Sequence, residues 1–159
     1  MSDSSDGGRT AGVLRAVAVQ TALLSGAAHA LWAWPLIGAS DPRPYVFLAV
    51  AVLLALVGAA VLRASEEYRR LYALGAGTLA ALLIGYVGWH GASAPAALAA
   101  DPLAVVAKFA EAVGVVAFLA LYRRAPPTSA VVERRRTDDR AAGGVDGETE
   151  TNPTEGPDP

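Results

Sequence analysis

Four apolar runs, each about as long as a helix that crosses the hydrocarbon core of a bilayer, divide this chain and decide what it can fold into. A helix rises about 1.5 Å per residue, so roughly twenty residues are needed to cross. The first run extends from Leu14 to Leu36, the second from Pro44 to Leu62, the third from Leu71 to Trp89 and the fourth from Pro102 to Tyr122. A soluble helical bundle would show a charged face on each helix. The second and third runs contain no charged or amide side chain at all, so lipid rather than water is the expected surrounding. Pro44 at the start of the second run suits a first helical turn, where no intrahelical N–H bond is lost.

The connections are short: Gly38–Arg43, Arg63–Arg70 and Gly91–Asp101. Short loops favour antiparallel neighbours. The expected fold is therefore all-α, a four-transmembrane-helix up-down-up-down bundle over residues 11–124. Residues 1–10 and 125–159 lack apolar periodicity, and the second of these stretches is rich in proline and acid. Both are expected to be disordered segments, the latter as an acidic cytoplasmic tail. The first run follows an acidic stretch and is too long for a signal-peptide core, so it is expected to be a retained span.

Arginine placement sets the expected orientation. Twelve of the thirteen basic residues are arginine. Arg9, Arg15, Arg63, Arg69, Arg70, Arg123, Arg124, Arg134, Arg135, Arg136 and Arg140 fall on one side of a four-span topology, and Arg43 alone falls on the other. The excess of positive charge on cytoplasmic loops then places both termini inside, in a multi-pass protein of the cell membrane. Trp32, Trp34, Tyr45 and Trp89 gather at the outer interface, and Tyr68, Tyr72 and Tyr122 at the inner one.

Small residues recur at four-residue intervals: Ala22, Gly26 and Ala30 in the first run, Gly77, Ala81 and Gly85 in the third, Ala110 and Gly114 in the fourth. Such stripes let helix backbones approach closely in lipid.

Polar groups at membrane depth are costly and face the bundle interior. Gln20, His29, His90, Lys108 and Glu111 are the candidates, and Lys108 is the only lysine in the chain. Lys108 and Glu111 are three apart, so they share a face and pair. His29 lies roughly 10 Å below the outer end of its span, and the Lys–Glu pair about 8–13 Å below the outer start of theirs. The candidate site is thus an outer-half cluster of His29, Lys108 and Glu111, with His90 nearby. It serves as a structural clasp or as a functional site.

The absence of cysteine excludes disulfides, thiolate metal sites, iron–sulfur clusters and cysteine nucleophiles. No nucleophile–base pair or metal-ligand spacing appears, so neither enzymatic activity nor a cofactor is expected. The expected function is that of a structural or accessory membrane component. One alternative is a small proton- or ion-coupled transporter using His29, Lys108 and Glu111. A second is a haem-binding electron carrier with His29 and His90 as axial ligands. The expected partners are the lipid bilayer and further copies or a larger membrane complex, with no nucleic acid.

Two resemblances follow from these residues. In span number and size the chain resembles small multidrug transporters. Their membrane glutamate lies in the first span, however, whereas Glu111 lies in the fourth, and that function is not carried over. Over residues 14–124 the chain also resembles small, uncharacterised four-helix membrane proteins of salt-loving (haloarchaeal-type) archaea. That resemblance rests on Ser25-Gly26-Ala27-Ala28-His29-Ala30-Leu31, on Lys108-Phe109-Ala110-Glu111 and on Leu119-Ala120-Leu121-Tyr122-Arg123. It implies a topology and no activity.

Overall fold

A computed structural model describes residues 3–38, 40–63 and 69–143, and every regular element among them is helical. The order is α1 (Asp3–Ala33), a 3-10 turn, α2 (Arg43–Arg63), α3 (Arg69–His90), a second 3-10 turn, α4 (Ala94–Ala100), α5 (Pro102–Arg124) and α6 (Thr128–Gly143). Four helical segments are long and apolar enough to cross a membrane: Gly8–Leu36, Arg43–Arg63, Arg69–Ala100 and Pro102–Arg124. That length and composition mark a multi-pass membrane protein.

Local chemistry stops and starts these helices. Pro44 and Pro102 stand in the first turns of α2 and α5. Asp101 caps α5, its Oδ1 accepting from the amides of Leu103 at 2.9 Å and Ala104 at 3.2 Å. α3 ends where Gly91 takes a left-handed φ of 54°, which a glycine adopts without a Cβ penalty. α5 ends at Ala125, which precedes a proline and is extended.

The chain divides into two compact units, Met1–Ala125 and Pro126–Pro159. In the first unit α1 packs against α2 and α5, and α5 packs against α3. The glycines show the direction of each pair. A Cβ on Gly26 would meet Ala51 and Leu54, and one on Gly58 would meet Val19 and Leu23, so α1 and α2 run in opposite senses. Gly75 faces Phe118 and Gly114 faces Leu79, so α3 and α5 do likewise. Trp32, Trp34, Tyr45 and Trp89 thus share one end of the unit, and Arg15, Arg63, Arg69 and Arg123 the other. At the arginine end the Arg69 guanidinium lies 4.2 Å over the Tyr122 ring and ties α3 to α5.

The core contains Leu54, Val57, Val61, Tyr72, Leu79, Phe118 and Leu121. The outer surface is equally apolar: Ile84, Phe109 and Val116 are 72%, 71% and 68% exposed. A water-soluble bundle does not present rows of such residues, whereas lipid is their natural contact.

Four sequence-based expectations are corrected. Gly77, Ala81 and Gly85 are exposed and make no close helix approach, with nothing within 4 Å of a Cβ at Gly77 or Gly85, and the close approach on α3 is made by Gly75 instead. Tyr72 is buried in the core rather than placed in an aromatic belt, and Tyr68 lies outside the described residues. The connection Gly91–Asp101, read as a loop, holds a 3-10 turn and α4. Finally, the ends are more helical than expected. Residues 3–10 belong to α1, since extending an existing helix needs no new nucleus. The second unit contains α6, where Ala, Glu and Arg favour helix locally and Thr137 donates to the Glu133 carbonyl at 2.9 Å. The rest of the expected tail, residues 144–159, lies outside the described residues.

Candidate functional site

The site begins with two pairs of residues on facing helices. On α1, Ser25 and His29 are one turn apart. On α5, Lys108 and Glu111 are three residues apart. Antiparallel packing of α1 on α5 brings the pairs together, and the centre of the group is the Glu111 carboxylate, which is 0% exposed. Lys108 Nζ donates to both of its oxygens, at 2.9 Å to Oε1 and 2.7 Å to Oε2. The Ser25 hydroxyl donates to Oε1 at 3.2 Å. An ionised carboxylate buried in this way needs a counter-charge and several donors, and Glu111 has both.

His29 completes the group. Its Nδ1 lies 2.9 Å from the Ser25 carbonyl, which only accepts, so the ring proton sits on Nδ1. Nε2 then faces Glu111 Oε1 at 3.7 Å, beyond hydrogen-bond range. The ring also packs against Phe47 of α2, with centroids 5.1 Å apart, and Phe47 in turn meets the edge of Trp32 at 4.9 Å.

Beside the cluster opens a cleft of about 560 Å³. His29 and Lys108 line it, as do Trp32, Phe47, Tyr86, Trp89, His90 and Arg43. Lys108 Nζ is 5.1 Å from the centre of the Tyr86 ring, and Tyr86 contacts His90 with centroids 4.5 Å apart. Its size, its aromatic walls and its few convergent polar groups fall within the range of small-molecule sites.

Of the residues singled out from the sequence, His29, Lys108 and His90 line one cleft, and Glu111 is fully buried against His29 and Lys108. His29, Lys108 and Glu111 form the cluster, whereas His90 packs on Tyr86 outside it. Gln20 is exposed on the outer face of α1 and takes no part. Ser25 was not anticipated, although its position four residues before His29 puts it on the same helix face. Tyr86 and Phe47 had no sequence signal, because aromatic residues of core and cleft look alike. The geometry does not favour haem ligation: His29 Nε2 is turned to a carboxylate. Among the described residues no group of three His, Cys, Asp or Glu side chains is placed to hold a metal ion.

At the mouth of the cleft Arg43 lies 5.0 Å over the Trp89 ring, and its side chain also pairs with Asp41. The Arg43 Nε donates to Asp41 Oδ2 at 2.6 Å, and its amide to Oδ1 at 3.0 Å. The Arg43 side chain, and then its backbone N–H, hold the Asp41 carboxyl below its ordinary value of 3.8. A carboxyl lowered in this way contributes at every pH above the ordinary value and loses its contribution only as pH falls through the lowered one. With Trp32 and Trp34 replaced by phenylalanine, Trp89 emission is expected to stay flat from neutral pH down to about 4 and to change only below that. Asp41→Asn is expected to give the changed emission at all pH values. A transition near neutrality would refute this.

Comparison of the chain with protein-family models, with curated proteins and with solved structures finds no match.

Proposed function

We propose that this is a non-enzymatic component of the cell membrane that binds a small lipophilic molecule in the cleft beside the Glu111 cluster. In this reading the chain crosses the bilayer four times, up and down, with both ends on the cytoplasmic side and the cleft in the outer half. The arginine-rich end then meets the cytoplasmic leaflet, and the tryptophan end meets the outer headgroups. The observation that carries the reading is the opening of a buried, hydrogen-bonded charge cluster onto a cleft of ligand size. A cluster serving only as a clasp needs no such opening, and ionisable groups at membrane depth commonly mark functional sites.

The test is chemical. Protein purified in mild detergent is extracted with organic solvent, and the extract is analysed by mass spectrometry. A lipophile in near-stoichiometric amount is expected from the wild type. It is expected to be lost from Ala81→Trp, because Ala81 lines the cleft from an exposed position and a large side chain there fills it. Identical extracts from the two proteins would sink the proposal.

Transport is the second reading, and the convergence of His29 and Lys108 on one oxygen of the Glu111 carboxylate favours it. A His Nε2 facing a carboxylate can hold a proton between them. Proteoliposomes with an inward proton gradient would then accumulate the extracted lipophile, and His29→Gln would abolish the accumulation. Equal accumulation with and without the gradient would exclude it.

A further inference from the structure

We infer that the ligand is an uncharged aromatic compound bearing a hydroxyl group, a phenol or quinol, and that its hydroxyl sits between His29 and Lys108. This rests on the reading of the cleft as a binding site and names the chemistry of its occupant.

The hydrogen-bond ledger of the cluster carries the argument. His29 uses the Nδ1 proton on the Ser25 carbonyl, at 2.9 Å. In the neutral ring Nε2 therefore offers a lone pair and asks for a donor. Glu111 supplies none, since its oxygens already accept from Lys108 and Ser25. Lys108 has the opposite need. Two of its three protons go to Glu111, and the remaining contact, to the Leu82 carbonyl, is long at 3.4 Å. One proton is thus available to a better acceptor. The two unmet needs lie close together, because Nε2 and Nζ are 3.7 and 2.9 Å from the same oxygen, Glu111 Oε1. Both side chains also line the cleft.

A hydroxyl is the single-atom group that meets both needs, giving its proton to Nε2 and accepting from Nζ. A carbonyl or ether satisfies Lys108 alone. An ammonium satisfies His29 alone and is repelled by Lys108. A carboxylate turns negative charge toward the lone pair and toward Glu111. A ligand hydroxyl reproduces what a water molecule would provide there, so the exchange costs little. Of the charges that border the cleft, Lys108 is paired with Glu111, Arg43 with Asp41, and the Asp101 carboxylate is taken up by the first amides of α5, and this suits a neutral ligand. Trp32, Phe47, Tyr86 and Trp89 supply the flat walls against which an aromatic ring stacks.

Three probes of one shape separate these possibilities: 1-naphthol, 1-methoxynaphthalene and naphthalene. Each is titrated calorimetrically into nanodiscs carrying the full chain, with partition into empty nanodiscs subtracted. Naphthol is expected to bind saturably and about tenfold more tightly than either relative, the worth of one net hydrogen bond. His29→Phe, and separately the double change Lys108→Met with Glu111→Leu, are expected to remove that preference while naphthalene binding persists. Equal affinity of the three probes for the wild type would overturn the assignment and leave the cleft as a binding site for another class. A naphthol preference that survives both variants would overturn it as well. If no probe saturates, the binding reading falls with it. The wild-type series alone decides the main point, whatever the stability of the variants.

Discussion

Glu111→Leu is expected to be the most damaging single substitution in this chain, lowering stability by about 3 kcal/mol or more. The change removes the carboxylate that pairs with Lys108 and leaves an ammonium with a side chain 13% exposed. It also removes the acceptor of the Ser25 hydroxyl, which can turn back to its own helix. The damage therefore comes from the stranded charge and not from lost packing. The double variant Glu111→Leu, Lys108→Met is expected to recover most of the loss, because replacing a buried pair by apolar side chains of similar size is close to neutral. Unfolding in mixed micelles, followed by tryptophan emission, measures both. A double variant as weak as the single one would mean that the cluster holds the helices together through Ser25 and His29, and that the Lys–Glu pair is not the source of the loss.

The second large effect belongs to two glycines. A methyl group on Gly114 would lie 2.5 Å from Leu79 Cδ1 and 2.8 Å from Thr21 Oγ1. One on Gly75 would lie 2.7–2.9 Å from three atoms of the Phe118 ring. Neither neighbour yields easily. Phe118 and Leu79 are fully buried, and the Thr21 hydroxyl is held by the carbonyls of Val17 at 2.8 Å and Ala18 at 3.1 Å. Gly75→Ala and Gly114→Ala are each expected to cost about 1–3 kcal/mol, the usual penalty of overpacking. Gly77→Ala and Gly85→Ala meet nothing within 4 Å and serve as controls, with no loss expected. Comparable losses at all four positions would show that the exposed face of α3 is covered in the membrane.

These glycines also mark how far the sequence can be read. Span positions followed from run length alone, since α2, α3 and α5 start and stop within two residues of the apolar runs. The stripe on the first span was legible, with Gly26 against Ala51 and Leu54. The stripe on the third was not. Gly77, Ala81 and Gly85 have the right spacing, but spacing says that residues share a face and not which face meets a neighbour. In a soluble helix the polar side would have decided this. In α3 every face is apolar, so the sequence carries no such mark.

The candidate site was legible for a related reason. Charges are so costly at membrane depth that Lys108, Glu111 and His29 stood out against a background of Ala, Leu and Val. Their juxtaposition required the pairing of α1 with α5. The short connections alone do not specify which non-consecutive spans meet. Ser25, Phe47 and Tyr86 went unremarked because serine and aromatic residues are ordinary inside membranes.

The pairing of α1 with α5 has a consequence for biogenesis. The cluster draws its residues from the first and the fourth span, so it is complete only after the ribosome has delivered α5. Until then Glu111 travels with its counter-ion, since Lys108 is on the same helix, one turn away. The fourth span thus carries its charge already paired, and its docking against α1 replaces lipid with Ser25 and His29 rather than rescuing a bare charge. Separating the lysine and the carboxylate onto different spans would keep the finished cluster and lose that order of events.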